Sequence, residues 1–126
     1  MNILIVDDHE TNLKLISLLL QKSYEEMRID TAENGKIAVA KSRKKDYDLI
    51  LMDINMPVMD GITATALIKD KKLQQNIVGI TADNQQRIDE LFGQSLFDHI
   101  VQKPLTTEIF ANEILPLIED RYLLQS

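Results

Sequence analysis

Four short apolar runs recur along the chain: Ile3 to Val6, Leu49 to Met52, Ile77 to Ile80, and Ile100 to Val101 with its neighbours. Each is partly β-branched and none alternates with polar residues, which is the pattern of a strand covered on both faces in a parallel sheet. Met27 to Thr31 is a weaker fifth candidate. Between the runs the apolar positions change to a helical period. Leu13, Ile16, Leu19 and Leu20 share one stripe, and Ile37 to Ala40, Ile62 to Ile68, Ile88 to Leu96 and Ile109 to Ile118 have helical spacing too. Strands alternating with helices predict an α/β fold: a doubly wound parallel sheet of five strands, right-handed crossovers and helices on both faces. Pro116 falls inside the last helical pattern, where it lacks a donor and its ring crowds the preceding turn. A kink or break near Leu115 is expected, with Leu117 to Leu124 as a separate short helix.

The polar residues that follow the strands form a set. The first run ends in Asp7 and Asp8, the Leu49 run in Asp53, the Ile77 run in Thr81, and the last, after Gln102, in Lys103. In an open parallel sheet the carboxyl ends of the strands share one edge, and ligands bind in the crevice there. These five groups are therefore expected in one site. Three carboxylates crowded together repel, which raises the pKa of at least one, so the cluster is best satisfied with a cation present. Mg²⁺ suits an all-oxygen donor set and works with phosphoryl groups supplied from outside, with Mn²⁺ as the alternative ion. Lys103 and Thr81 then serve as charge partner and hydrogen-bond donor to such a group. In the loop after Asp53, Gly61 is expected to supply a positive φ and Pro57 to stiffen the turn.

Composition narrows the reading. The chain has 126 residues, with 14 basic against 20 acidic side chains, so 14 − 20 gives a net charge of −6. An acidic surface repels phosphate backbones, which argues against nucleic acid and anionic membranes as partners. Cysteine is absent, so thiol nucleophiles, disulfides and Cys-ligated metals are excluded. The two histidines, His9 and His99, do not suffice for a histidine cage. The apolar runs are too short for a membrane span, and nothing at the amino terminus resembles a signal peptide. A single cytoplasmic domain over residues 1–126 is expected, its core covering about 2–118 and a helical tail following Pro116.

In order along the chain, Val6-Asp7-Asp8, Asn34-Gly35, Met52-Asp53-Ile54-Asn55-Met56-Pro57-Val58-Met59-Asp60-Gly61, Thr81-Ala82 and Lys103-Pro104 resemble the receiver domain of two-component response regulators. The likeness runs from Asn2 to about Ile118, and the segment around Asp53 looks most like receivers attached to, or partnered with, hybrid histidine kinases. It implies a flavodoxin-like fold with strand order 2-1-3-4-5. It implies that Asp53 is the phosphoacceptor, taking a phosphoryl group from a phosphohistidine on a histidine kinase or phosphotransfer protein. By the same likeness Asp8, Asp53 and the backbone carbonyl of Asn55 would bind Mg²⁺, and Asp7 would act through a water. Lys103 would pair with phosphoryl oxygens, the Thr81 hydroxyl would move to bond one of them, and the Lys103–Pro104 bond would be cis. Asn12 and Leu15 on the first helix would meet the phosphohistidine-bearing partner. The Ile88 segment, the last strand and the last helix, with Ile100 and Pro104, would form the surface read by partners or a second copy. A haloacid dehalogenase-type phosphatase also uses an aspartyl phosphate with Mg²⁺, but needs an acid two residues after the nucleophile, and here that residue is Asn55. A receiver that assists its own phosphorylation and dephosphorylation, without multiple turnover, is the reading that follows.

The sequence also departs from the family pattern. Three residues before the lysine, where receivers usually carry an aromatic or histidine switch, stands Ile100. His99 alternates to the opposite face and is expected in solvent. Seven residues before the lysine, Leu96 replaces the usual glycine, so the preceding helix is expected to end near Gly93. Asp83 reads equally as a helix cap for the Asn84 segment or as a residue controlling water access to the phosphoryl group. Met56 and Met59 read as loop packing before a partner-facing role, and His9, beside the acid pair, as a surface residue before an adventitious metal ligand.

Overall fold

In the computed structural model, which describes residues 1–82 and 96–125, the elements in chain order are β1 (Asn2–Val6), α1 (Glu10–Ser23), β2 (Arg28–Ala32), α2 (Gly35–Lys44), β3 (Leu49–Asp53), α3 (Gly61–Lys71), β4 (Ile77–Thr81) and β5 (His99–Gln102). A terminal helical run follows: α4 (Thr107–Ile109), a π-helical segment (Phe110–Ile114) and α5 (Leu115–Gln125). The strands form one parallel sheet in the order β2-β1-β3-β4-β5, as expected. The expected helix over Ile88 to Leu96, its end near Gly93, and Asp83 lie outside the described residues, apart from Leu96, which packs half-buried against the core.

The strands bury both faces, and the period of two reappears as a partition between two cores. Ile3, Ile5, Leu49, Leu51, Val78 and Ile80 point to one side, where Leu13, Ile16 and Leu20 of α1 pack with Phe110, Ile114 and Ile118. Leu4, Val6, Ile50, Met52 and Ile77 point to the other, against Ala38 and Val39 of α2 and Ala64 and Ile68 of α3. β2 borders only β1 and most of its residues stay partly exposed, which explains its weaker apolar signal. At the opposite edge His99 is exposed while Ile100 leans on the second core, the alternation expected of β5.

Two expectations about backbone breakers are corrected. The positive φ in the loop after β3 belongs to Val58, at 70°, and not to Gly61. Gly61 is needed for space: a Cβ there would lie 2.2 Å from the Asp53 carbonyl oxygen and 2.8 Å from Ile54 Cα. Gly35 meets the same loop from the other side, its N–H donating to Met59 O at 3.2 Å where a Cβ would stand 2.6 Å from that oxygen. Asn34 and Asp60 cap α2 and α3 through Ile37 N–H and Thr63 N–H, so both caps adjoin the glycines that clamp the loop. Met56 and Met59 pack on the second core, as loop packing requires.

Pro116 does not end the helix. The helical run continues through it, α5 beginning at Leu115, and the adjustment comes earlier, in Phe110–Ile114, where Leu115 N–H donates five residues back to Phe110 O. In an α-helix the Pro116 ring would press on the Asn112 carbonyl. A wider π turn just before the proline relieves that contact without breaking the chain of helical residues.

Gly61→Ala is expected to cost about 3 kcal/mol, because the atoms in its way are backbone and cannot step aside. Val58→Asn is expected to stabilise by about 1 kcal/mol, since asparagine adopts the left-handed region more easily than a β-branched residue. Urea denaturation of both variants checks the contrast.

Candidate functional site

The parallel register delivers the acids. Asp53 is the last residue of β3, paired with Ile80 of β4, and is 1% exposed. Asp7 follows β1 directly and is also buried, its N–H donating to Ala32 O at the end of β2. Asp8 lies one residue further on, its side chain 24% exposed. Together with His9 these residues can bring one ligand atom each to within 4.8 Å of all the others.

The three carboxylates differ in how they are satisfied. Asp7 is saturated: Oδ1 accepts the His9 N–H at 2.8 Å and Oδ2 accepts Asn12 Nδ2 at 3.2 Å. Asp8 Oδ1 and both oxygens of Asp53 are buried without an aligned hydrogen-bond partner. Lys103 Nζ is 3.2 Å from Asp53 Oδ1 and 3.9 Å from Asp7 Oδ2, one ammonium facing the acids. Burial first, and the Asp7 charge second, push the Asp53 carboxyl up to about 6, against the pull of Lys103 and the Asn55 N–H. Buried carboxylate oxygens left unpaired are costly, so this arrangement fits a cation. The oxygens without an aligned hydrogen bond belong to Asp8 and Asp53, while Asp7 is held by the protein. These donors suit a hard divalent ion.

Thr81 ends β4, fully buried at the same edge, and its carbonyl accepts the Lys103 N–H at 2.7 Å. The Lys103–Pro104 bond is cis, as expected. Asn55 is exposed at the start of the loop after Asp53. Asn12, expected to meet a partner, is half-buried and also donates to Asp7. Its place five residues after Asp7, in the first turn of α1, was the available signal. Leu15, 38% exposed, and Leu18, 55% exposed, do face solvent on α1. Pro104 is exposed and Ile100 is half-buried against the second core. A cleft of about 470 Å³ beside the acids is bordered by Asp7, Asn12, Ala82, Lys103 and Pro104. A larger groove, about 730 Å³, runs along α1 and touches the cluster only at Asp8, whereas the smaller one reaches both Asp7 and Lys103.

This fold, with an acid cluster and a lysine at its carboxyl edge, defines a class, and the chain belongs to the response regulator receiver domains, whose family model matches residues 3–114. Among known proteins it is 36% identical over 118 residues to the signal transduction histidine-protein kinase BarA of Escherichia coli, covering 91% of this chain and 12% of that protein. The chain thus spans about an eighth of that relative's length. It is 35% identical over 120 residues to the two-component response regulator ARR22 of Arabidopsis thaliana, covering 93% of this chain and 80% of that one. The response regulator TrrA of Thermotoga maritima, solved in complex with Mg(2+)-BeF, superposes with TM-score 0.79 at 33% identity, covering 94% of this chain and 96% of that one. The same regulator in complex with the histidine kinase ThkA superposes at 0.78 with 32% identity over the same shares.

The Asp53 carboxyl titrates near 3.8 when unfolded and near 6 when folded, so the folded state binds the extra proton. Stability contributed at this site is therefore full at low pH and falls as pH rises from about 4 to 6. Asp53→Asn removes the buried charge and is expected to stabilise the metal-free protein by about 2 kcal/mol at pH 8, with little effect at pH 4. Denaturant midpoints of both proteins across that range in a chelating buffer test this.

Proposed function

We propose that the protein is a phosphorylatable switch in which Asp53 accepts a phosphoryl group from a phosphohistidine on a histidine kinase or phosphotransfer protein. The observation that carries this reading is the buried Asp53 carboxylate, both oxygens without an aligned hydrogen bond, opposite the Lys103 ammonium. Above about pH 6 Asp53 is ionised and one of its oxygens attacks phosphorus. The P–N bond to the donor imidazole breaks, the nitrogen keeps the electron pair, and Asp53 becomes an acyl phosphate. Phosphoryl transfer asks for positioning and charge neutralisation more than for covalent help. Lys103 supplies a positive charge to the transferring oxygens, and the Thr81 hydroxyl donates to one of them. Asp8, Asp53 and the Asn55 carbonyl would hold Mg²⁺, or Mn²⁺ in its place, with Asp7 acting through a water. That cation, when bound, neutralises charge on the phosphoryl oxygens.

Asn55 stands where a turnover phosphatase needs an acid that can give and retake a proton, so the acyl phosphate persists as a signalling state and the domain is not a multiple-turnover enzyme. TrrA's complex with a histidine kinase supports a kinase as donor, and exposed Leu15 on α1 supplies an apolar contact beside the site. With Ile100 in place of an aromatic, the state of the site is transmitted through backbone. Thr81 and Lys103 are joined by a main-chain bond, so movement of Thr81 toward the phosphoryl group shifts β5 and Pro104. The readout surface is β5 with the terminal helices, where a partner or a second copy binds. Moving a population from 1:99 to 99:1 takes about 5.5 kcal/mol of differential contact, which a lysine ion pair, one hydroxyl bond and the cation together reach with little surplus. The domain occupies residues 1–126, with its core over about 2–118, and acts in the cytoplasm; no helix among the described residues is long and apolar enough to cross a membrane.

With acetyl phosphate and Mg²⁺, intact-mass measurement should show one added phosphoryl group on the wild type, none on Asp53→Asn, and uptake at least about tenfold slower on Lys103→Ala. Unchanged uptake by Asp53→Asn would sink the reading. Beryllofluoride should change the sizing profile or partner affinity of the wild type and leave Asp53→Asn unaffected.

A further inference from the structure

We infer that His9 supplies a nitrogen ligand to the cation site, so that this site favours borderline first-row ions such as Ni²⁺ over Mg²⁺ more strongly than its oxygen donors alone would. The inference rests on the proposed cation site and concerns what that site selects.

His9 is the N-cap residue of α1, a position whose side chain ordinarily accepts a hydrogen bond from the first turn. It makes none. Its backbone is extended, φ −101° and ψ 112°, and the ring turns back onto the acids, with Nδ1 3.1 Å from Asp8 Oδ1 and hydrogen-bonded to Asp7 Oδ1 at 3.3 Å, a bond it gives up, with the proton moved to Nε2, when it ligates an ion. The contact with Asp8 is close, yet Asp8 Oδ1 has no aligned hydrogen bond. Two donors that converge on a common third point meet in this way. Adjacent ligands of an octahedral ion, each at about 2.1 Å, lie about 3.0 Å apart, which is the His9–Asp8 separation. Asp53, 1% exposed, with neither oxygen in an aligned hydrogen bond and only Oδ1 facing Lys103, independently marks the place where an ion would sit. His9 belongs with Asp7, Asp8 and Asp53 to the group of residues whose ligand atoms lie within 4.8 Å of one another.

The rest of the ring is free to serve this role. The His9 side chain is 66% exposed, so it can pivot by a few tenths of an ångström without disturbing the core. The His9 N–H meanwhile fixes Asp7 Oδ1, so one residue orients the acid and brings the imidazole. Imidazole suits Ni²⁺, Zn²⁺ and Co²⁺, whereas carboxylate and carbonyl oxygens suit Mg²⁺ and Mn²⁺, and the Irving–Williams order places Ni²⁺ above Mn²⁺ at a nitrogen-containing site.

The test uses untagged full-length protein, calorimetric titration with Mg²⁺ and with Ni²⁺, and pulsed EPR of the Mn²⁺-loaded protein. The expected result is an imidazole ¹⁴N coupling in the wild type that disappears in His9→Ala, with a ratio of Ni²⁺ to Mg²⁺ association constants at least about tenfold lower in the variant. His9→Gln, which keeps the bulk of the side chain, should behave as His9→Ala does, and circular dichroism checks that both variants fold. A ratio within twofold of wild type, or no ¹⁴N coupling in wild type, overturns the inference while leaving the cation site standing. If Asp53→Asn binds both ions as the wild type does, the cation site itself is wrong and the inference falls with it.

Discussion

Everything at the functional end of this molecule depends on three carboxylates held at one sheet edge with one ammonium to offset them. Asp7 and Asp53 are buried, Lys103 is the one ammonium facing them among the described residues, and Asp53 keeps both oxygens without an aligned hydrogen bond. Uncompensated charge in a poorly hydrated place is expensive. The fold tolerates it because the two hydrophobic layers supply enough burial, and the same unmet negative charge is what makes the arrangement fit a cation.

The backbone around the acids is arranged to keep that tension in place. Gly61 lets α3 start hard against the Asp53 carbonyl, Gly35 lets α2 start against Met59, and Val58 takes the strained conformation between them. On the other side the Thr81 carbonyl holds the Lys103 N–H just before the cis bond to Pro104. Each strap acts on main chain, so the carboxylates sit at or just beyond strand ends that the backbone holds.

Much of the fold was legible along the chain, because a strand buried on both faces has to be apolar without interruption and a helix lying on it has to be apolar along one stripe. β1, β3 and β4 announced themselves this way, whereas β2, at an edge and mostly half-exposed, gave a weak signal displaced by one residue. The acids, Thr81 and Lys103 were legible for a related reason: they follow apolar runs, and parallel strands bring such ends together. Asn12 was not, since its partner Asp7 depends on where the first turn of α1 begins. His9 looked like a surface residue, and it is exposed, yet its ring faces the acids because its helix-capping duty is left undone.

By itself the sequence determined which residues are strand and helix, which side chains lie at the strand ends, and hence which chemistry is gathered there; these follow from local periodicity and from the common direction of parallel strands. Only the tertiary structure decided which acid is saturated and which is left wanting, that Gly61 answers a steric need and not a dihedral one, and that Pro116 is absorbed by a π turn ahead of it. Those outcomes turn on distances of a few tenths of an ångström between segments far apart in the chain. Periodicity carries no information at that scale.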